Sequence, residues 1–408
     1  MGSKRSVSLA LLALLSLWAA RPAAAVVIVT GDGSGNTTAP PDDPGWANVG
    51  YLGSASAVYL GDGFVLTDAH VGVGDVTFGG VAYTPVAGSG TQLQNPSGTG
   101  LTQYTDLELF RLTTDPDLPA LQIVAASPAI GASVTMIGAG NTRDPDEVGW
   151  QRVSNDGTVT WTQVAAGQGD INGYYATGSR TMRWGMNTIY GNETSIRSST
   201  GLDIFVLSTY FTENSPTNFE AQVVSGDSGG GLFTKVDNQW QLAGILNSIG
   251  PLSGQPNDSA VFGDLSYSVD LSKYRQQIET IMNSATHPWT NPTNNVDVNG
   301  DGAVTPLDAL VVINELNSVG AGPLPSPPAT PPPYYDVNGD GSLSPADALY
   351  VINWLNMGST PKSITLEDIG ASVPEPSSFA LAAIAALALA GLHLLSRRRS
   401  RRSEAESL

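Results

Sequence analysis

Between about residues 30 and 285, the hydrophobic residues come in short runs separated by glycine, asparagine, aspartate and proline. Most of these runs are rich in β-branched or aromatic side chains, which favour strands, and the residues between them favour turns. Strands are therefore predicted at residues 57–60, 64–66, 134–137, 159–161, 204–207, 231–233 and 242–246. Short strands at this spacing are typical of a β-barrel or a β-sandwich.

A helix is predicted at the end of this region, over residues 272–283, because apolar side chains recur there at helical spacing. These side chains are Tyr274, Ile278, Ile281 and Met282. Residues 144–193, in contrast, carry no motif that we can interpret.

The start of the chain has the pattern of an export signal. Residues 1–25 open with Lys4 and Arg5, continue with an apolar run and end in three alanines. This pattern predicts a secretory signal peptide that is cleaved after Ala25, which would make Val26 the first residue. A retained membrane anchor is the alternative, although the apolar run is short for a span.

Composition narrows the possible functions. The formal net charge of −19 at pH 7 argues against nucleic acid as a partner. The chain contains no cysteine, which excludes both a disulfide framework and a thiol nucleophile. Its 408 residues are enough for two or three domains.

The glycine-rich segment 225–230 contains a candidate nucleophile, Ser228. A serine hydroxyl becomes a useful nucleophile when a base takes its proton and fixed N–H groups stabilise the oxyanion. Glycines beside it allow a sharp turn and a close approach of the substrate to the main chain. An ordinary turn between strands would give the same pattern, so the interpretation depends on finding a base.

His70 is the candidate base by elimination, since the chain has only three histidines. His393 lies in an apolar C-terminal run, and His287 lies beside a proline at the edge of a domain. His70 alone follows a strand-like run ahead of the serine, so an imidazole base for Ser228 should be His70.

Asp106 is the candidate for the third catalytic group. A carboxylate is needed to hold the histidine tautomer and to stabilise its charged form. Within residues 104–112, Asp106 starts a strand-like segment whose apolar positions are Leu107, Leu109 and Leu112. Taken alone, it would be interpreted as a turn or strand-start aspartate.

Together the three segments resemble the motifs of trypsin-like (chymotrypsin-fold) serine peptidases. Residues 66–71 are similar to the T-A-A-H motif, residues 105–109 to the D-I-A-L motif, and residues 226–230 are G-D-S-G-G. The resemblance implies a double β-barrel and specific roles for each residue. Those roles are His70 as general base and acid, Asp106 as orienting carboxylate, Ser228 as nucleophile, and the N–H groups of Gly226 and Ser228 as the oxyanion hole.

The same resemblance implies two further assignments. Asp227 would pair with a freed N-terminal amine, which signal removal before Val26 could supply directly. Gln222 falls where the family has the floor of its specificity pocket. Because Gln222 is not acidic, nothing argues for cleavage after arginine or lysine.

An internal repeat follows the peptidase-like region. The hexapeptide at residues 297–302, D-V-N-G-D-G, recurs at residues 336–341, and each copy leads into a helix-like segment. Asp and Asn at loop positions one, three and five, with Gly at six, supply the oxygens that Ca²⁺ prefers. The predicted ligands, including loop positions seven and twelve, are Asp297, Asn299, Asp301, Ala303, Asp308, Asp336, Asn338, Asp340, Ser342 and Asp347.

Two such loops, each followed by one helix, resemble dockerin type I modules. The resemblance implies two Ca²⁺ ions and a cohesin-like partner that contacts the helices. The recognition positions just after each loop are Pro306-Leu307 and Pro345-Ala346 rather than the common Ser-Thr, so the identity of the partner stays open.

The C-terminal residues 373–402 combine a Pro-Glu-Pro motif, an apolar stretch at 379–395 and an arginine cluster. An apolar stretch followed by arginines predicts a transmembrane helix with a cytoplasmic C terminus. The order of the three parts resembles the PEP-CTERM sorting signal of bacterial envelope proteins. A permanent membrane anchor is the alternative.

The predicted fold is mainly β: a trypsin-like double β-barrel, a small α-helical EF-hand-like dockerin domain and a C-terminal transmembrane helix. The predicted domains are a signal peptide at 1–25, a peptidase at 26–290, a dockerin at 291–358, a linker at 359–372 and a sorting signal at 373–402. The predicted function is an exported serine endopeptidase at the cell envelope or surface that acts on polypeptides. The alternatives are a catalytically silent scaffold or adhesion protein, and an α/β-hydrolase esterase that would need His287 as its base.

Overall fold

The computed structural model describes residues 26–213, 219–325 and 331–357. Outside these ranges lie the predicted signal peptide, linker, sorting signal and membrane span (1–25, 359–372, 373–402 and 379–395). Within the described ranges, no helix is both long and apolar enough to cross a membrane.

Antiparallel strands are the most abundant regular elements of the described chain. The strands are β1 (Val27–Ile28), β2 (Val49–Leu52), β3 (Ala55–Gly61), β4 (Phe64–Thr67), β5 (Val76–Phe78), β6 (Val81–Tyr83), β7 (Thr91–Gln94), β8 (Tyr104–Arg111), β9 (Ser133–Gly138), β10 (Val148–Asn155), β11 (Thr158–Ala165), β12 (Ile171–Tyr175), β13 (Arg183–Arg197), β14 (Asp203–Tyr210), β15 (Ala221–Gln222), β16 (Gly231–Val236), β17 (Gln239–Gly250), β18 (Ser259–Val261), β19 (Leu265–Asp270), β20 (Gly322–Pro323) and β21 (Ser342–Leu343). Every run that the sequence predicts as a strand lies within one of them.

Six strands close into a barrel in the order β13, β14, β19, β17, β16 and β9. Runs of consecutive residues along β9, β16 and β17 are buried, among them Phe233, Leu242 and Ile245. Burial of each such side chain contributes about 1.5–3 kcal/mol, so the packed interior holds the barrel strands in register. This barrel matches the second of the two that the sequence resemblance implies.

The first half of the peptidase-like region differs from the expected six-stranded barrel. It is a seven-stranded sheet in the order β6, β5, β2, β3, β4, β8 and β7, and its edge strands β6 and β7 are not paired with each other. Strand β6 is three residues long and largely exposed, so it has few apolar side chains with which to close the sheet. Leu66 and Leu109 of this sheet join Ile245 and Val269 of the barrel in one apolar core.

The stretch without a recognisable motif, residues 144–193, forms strands β10 to β12 and most of β13. The sheet order is β11, β10, β12 and β18, and the β10–β11 hairpin carries many exposed side chains on both faces. Trp150 is buried, with its ring centroid 6.4 Å from that of Trp161 and 5.5 Å from that of Tyr175. Because so few of the other side chains are buried, the sequence lacks a clear alternating pattern there.

Three α-helices complete the described chain: α1 (Arg275–Thr286), α2 (Pro306–Val319) and α3 (Pro345–Asn356). Helix α1 begins three residues later than the predicted helix 272–283, because Leu271–Lys273 forms a 3₁₀ turn capped by the Asp270 side chain. Helices α2 and α3 each begin with a capping box and proline in the first turn, as the sequence predicts.

Candidate active site and calcium loops

His70 and Asp106 are brought together by two paired strands. Strand β4 pairs with β8, and His70 follows the end of β4 while Asp106 lies within β8. The Nδ1 atom of His70 lies 2.9 Å from Oδ2 of Asp106, and the His70 backbone N–H donates to Oδ1 at 2.9 Å. Asp106 therefore accepts the Nδ1 proton and fixes the ring, which leaves Nε2 as the nitrogen that can act as a base.

The pKa shifts of His70 and Asp106 agree with this arrangement. Burial opposes ionisation of Asp106, but hydrogen bonds from His70 and Asn247 outweigh it and lower the pKa of Asp106. The hydrogen bond to Asp106 raises the pKa of His70, although burial of the ring acts in the opposite direction. The pair is thus stabilised with a charged carboxylate beside the imidazole.

Ser228 lies in a loop between β15 and β16 that only glycines can form. Gly226 and Gly229 have φ angles of 93° and 84°, which strain any other residue. A Cβ atom at Gly229 would clash with the carbonyl oxygen of Ser56, whose own N–H donates to the Ser228 carbonyl at 2.8 Å. Among the described residues, the N–H groups of Gly226 and Ser228 have no hydrogen-bond acceptor.

Two cavities have both Ser228 and His70 in their walls. One has a volume of about 620 Å³ and includes Ser54 and Val73 in its wall. The other has a volume of about 570 Å³ and includes Ile249. The Ser228 Oγ atom donates a 3.3 Å hydrogen bond to the Asn247 carbonyl oxygen, so the hydroxyl lies beside the second cavity.

Val26 is the residue that the predicted signal cleavage would expose, and it is buried beside Asp227. Its nitrogen lies 3.2 Å from Oδ1 of Asp227, and both residues have no exposed surface. Strand β1 pairs with β15, and the Arg143 guanidinium donates to the carbonyl oxygens of Ile28 and Gly31. Burial raises the pKa of Asp227 to about 7. The segment after residue 25 is therefore anchored directly behind the serine loop.

Asn247 contacts the candidate triad directly, and Asp68 is connected to it through Asn247 and Gly229; sequence reasoning missed both residues. The Asn247 amide donates to Oδ2 of Asp106 at 3.1 Å and to Oδ1 of Asp68 at 2.9 Å. Asp68 also accepts the Gly229 N–H at 2.9 Å. Asp68 stands inside the motif at 66–71 at a position where the family motif has alanine, so this departure was the available signal.

Gln222 is not among the residues that line either cavity. It is fully buried, its amide nitrogen donates to the Leu265 carbonyl at 3.1 Å, and its amide oxygen accepts the Ser266 hydroxyl at 3.0 Å. His287 caps the end of α1 and contacts the Thr286 hydroxyl at 2.9 Å, outside both cavities. His393 lies outside the described residues.

The described strand pairs do not support the esterase alternative. An α/β-hydrolase has a mostly parallel sheet, whereas the paired strands that the structure describes are all antiparallel. The same fold needs a histidine after the serine, and His287 does not line either cavity beside Ser228. The α/β-hydrolase interpretation of Ser228 is therefore wrong.

The repeated loops have the same internal structure. Asp297 accepts N–H groups from Gly300, Asp301 and Gly302, and Asp336 makes matching contacts in the second copy. The carboxylates at loop position twelve, Asp308 and Asp347, have no exposed surface. The remaining predicted ligands lie in the same loops: Asn299, Asp301, Ala303, Asn338, Asp340 and Ser342.

The chemistry of these loops fits a hard cation. Asp297, Asp308, Asp336 and Asp347 are all buried, yet residues 291–357 contain no lysine, arginine or histidine. A buried carboxylate without a cation is costly, and Ca²⁺ binds to such carboxylates together with amide and backbone oxygens. Within the described ranges, no three acidic or histidine side chains converge as a cluster, so each loop offers two buried carboxylates plus neutral oxygens.

Comparisons with solved structures and with protein families both find matches to this chain. Similar solved structures include neuropsin, a serine protease of mouse brain, with 18% identity over 61% of this chain and 98% of that chain and a TM-score of 0.36. A mutant of human heparin binding protein has 15% identity over 61% and 96%, with a TM-score of 0.37. The Rv3671c protease of M. tuberculosis in its active form has 15% identity over 56% and 77%, with a TM-score of 0.32.

The sequence comparisons concern the C-terminal module. No curated protein sequence matches the chain. Residues 295–356 match the family described as the dockerin type I domain. The chain thus carries a dockerin type I domain after its mainly β region.

Proposed function

We propose that this chain is an exported serine endopeptidase that hydrolyses peptide bonds through His70, Asp106 and Ser228 and is tethered by a calcium-dependent dockerin module. The observation that carries the proposal is the hydrogen-bonded His70–Asp106 pair beside the same cavities as Ser228. A base, its orienting carboxylate and a serine in a glycine-formed loop are the parts that acyl transfer needs.

Acylation would proceed as follows. Ser228 Oγ rotates from the Asn247 carbonyl towards His70 and attacks the substrate carbonyl carbon while His70 Nε2 takes its proton. The oxyanion accepts hydrogen bonds from the N–H groups of Gly226 and Ser228. Neither of these N–H groups has another hydrogen-bond acceptor among the described residues. The C–N bond then breaks, His70 returns the proton to the leaving amine, and an acyl-enzyme remains on Ser228.

Deacylation would reverse these roles. Water attacks the acyl carbon and gives a proton to His70 Nε2, the bond to Ser228 Oγ breaks, and His70 returns the proton to Oγ. Asp106 stays ionised throughout and accepts the Nδ1 proton, in keeping with its lowered pKa. The charged imidazole is therefore stabilised in both half-reactions.

The two cavities favour an endopeptidase. The two cavities share Ser228 and His70 but have otherwise largely different walls, so they would hold the acyl part and the leaving part of an extended chain. Apart from Asp106, the second cavity is lined by neutral residues and Arg197, so we expect cleavage after uncharged residues rather than after lysine or arginine. Profiling a peptide library with the purified chain tests the reaction and the preference together.

The activity should depend on pH through His70. Only neutral imidazole can take the serine proton, and the hydrogen bond to Asp106 raises the pKa of His70 above its ordinary value of about 6.5. We therefore expect kcat/KM to fall about tenfold per pH unit below a midpoint that lies above pH 6.5. A pH profile with a peptide substrate measures this midpoint. An acid limb centred well below pH 6 would contradict the assignment of His70.

The dockerin module would bind one Ca²⁺ in each loop. The ion would be held by the carboxylates of each loop with its Asn side chain and backbone oxygens, and it would neutralise the buried carboxylates. Asp347→Ala should lower the measured stoichiometry from two ions to one, while Glu315→Ala, an acidic residue outside both loops, should keep two. Calorimetric titration of the Ca²⁺-free chain counts the ions. Retention of two ions in Asp347→Ala would contradict the second site.

The partner surface of the module would be its two helices. Large apolar side chains are exposed at matching positions of α2 and α3, and the exposed set is Leu307, Leu310, Ile313, Leu349 and Ile352. Dockerin domains bind cohesins, so we propose a cohesin-like protein as the partner. The export and sorting segments would deliver the protein to the cell envelope or surface.

A further inference from the structure

Asp68 carries a buried carboxylate close to the candidate triad that has no role in the reaction proposed above. Asp68 follows β4 and stands two residues before His70, and it has no exposed surface. Both of its oxygens accept N–H groups: Oδ1 from the Asn247 side chain and Oδ2 from the Gly229 backbone, each at 2.9 Å. It has no ion pair with lysine or arginine among the described residues.

Each of these two contacts leads to a different catalytic group. Gly229 follows Ser228 directly, so the contact to its N–H joins the histidine loop to the serine loop. The Asn247 amide uses its second hydrogen for Oδ2 of Asp106 at 3.1 Å, which is the same oxygen that accepts from His70. Asn247 thus lies between two carboxylates and donates one hydrogen to each.

The main chain of Asn247 completes the connection, because its carbonyl oxygen accepts the Ser228 hydroxyl at 3.3 Å. Asn247 is itself 5% exposed, and its Oδ1 atom has no hydrogen-bond partner within the described part of the chain, so the amide orientation is set by its two donor contacts. A turn of the amide by 180° would place Oδ1 against both carboxylates. The two carboxylates therefore determine which way the amide faces.

We propose that Asp68 is a positioning residue for the reaction proposed above. It fixes the Asn247 amide as a donor to Asp106 and holds the serine loop against the histidine loop. This inference rests on the proposed function for its catalytic consequence, but the hydrogen-bond network can be tested without turnover.

Asp68 also contributes charge to the site. The titratable groups that face it are His70 and Asp106, and burial raises the pKa of Asp68 to about 8. For His70, the hydrogen bond that its ring donates to Asp106 raises the pKa most, and the nearby Asp68 carboxylate raises it further. The charge of the imidazolium in turn lowers the pKa of Asp68, so Asp68 in its ionised form would help to stabilise the imidazolium that forms when Ser228 is deprotonated.

The direct test is Asp68→Asn in the full chain. Asparagine has the same shape, but its NH₂ group must face either the Gly229 N–H or the Asn247 NH₂, and both are donors. One contact is therefore lost in either orientation, and kcat should fall roughly 10- to 100-fold with little change in KM. Asn247→Ala removes the amide that donates to both Asp68 and Asp106. It should lower kcat by a similar factor.

Asp264→Asn is the matched control. Asp264 is also fully buried and accepts N–H groups from Val261 and Gln255 at 2.9 Å each, but it does not contact the triad. This variant should lower the melting temperature and leave kcat unchanged. If Asp68→Asn changes only the melting temperature, as Asp264→Asn does, the positioning role is overturned while the peptidase proposal stands.

A second measurement works whether or not the chain is a peptidase. NMR titration of the His70 imidazole should show a lower pKa in Asp68→Asn than in the wild-type chain. An unchanged His70 pKa would overturn the coupling of Asp68 to the histidine. If the wild-type chain hydrolyses no peptide but this shift occurs, the proposed function fails and the network stands.

Discussion

Replacement of Ser228 by alanine is expected to lower kcat for peptide hydrolysis by roughly 10⁴- to 10⁶-fold with little change in KM. The substitution removes only Oγ, which lies beside the cavity shared with His70, and leaves the N–H groups of the loop in place. The residual rate would come from substrate binding and oxyanion stabilisation alone. Steady-state kinetics on the best substrate from the peptide library provides the measurement.

Ser284→Ala is the control for this experiment. Ser284 lies on helix α1, where its hydroxyl donates to the Thr280 carbonyl at 2.7 Å, and it lines neither cavity beside Ser228. It should keep the wild-type kcat. A Ser228→Ala chain that keeps more than about a tenth of the wild-type rate would show that another group performs the chemistry.

A chain that retains Ala25 ahead of Val26 is expected to be roughly 10²- to 10³-fold less active than a chain that begins at Val26. In the shorter chain, a charged amine would face the buried Asp227 carboxylate, whereas in the longer chain that nitrogen is a neutral amide. Removing one partner of a buried ion pair costs about 3–5 kcal/mol, and about 1.4 kcal/mol corresponds to tenfold. Because Asp227 lies between Gly226 and Ser228, its displacement would disturb both oxyanion donors.

A double-mutant cycle isolates this contact. In the Asp227→Asn background, retention of Ala25 should cost no further activity, because the carboxylate that the amine needs is already gone. Active-site titration of all four chains, with N-terminal sequencing to verify each start, gives the values. Equal activity of the two chains with Asp227 intact would refute the role of the Val26 amine.

The candidate site residues are easiest to find in the sequence where one short motif contains both the residue and the glycines or strand that position it. Ser228 with its flanking glycines, and His70 at the end of a strand, were placed from a few residues each. Asp68 and Asn247 could not be found in this way, because their importance depends on contacts between residues 179 positions apart in the chain. The Gln222 assignment came from spacing alone, and spacing does not show that its amide is occupied by Leu265 and Ser266.

The same distinction applies to the fold. Runs such as residues 231–233 and 242–246 lie in the buried barrel, where both faces of a strand favour apolar residues, and they were predicted correctly. The β10–β11 hairpin was missed except at 159–161, because most of its side chains are exposed and need not alternate. The calcium loops could be recognised from the sequence because each loop position requires a particular residue type.

Mass spectrometry of the chain after reaction with a fluorophosphonate tests the central claim most directly. The probe forms a covalent bond with a serine only when that hydroxyl is activated. We predict a single adduct on the peptide that contains Ser228, and its loss in both His70→Ala and Ser228→Ala. An adduct on a different serine, or undiminished labelling of Ser228 in His70→Ala, would contradict the account.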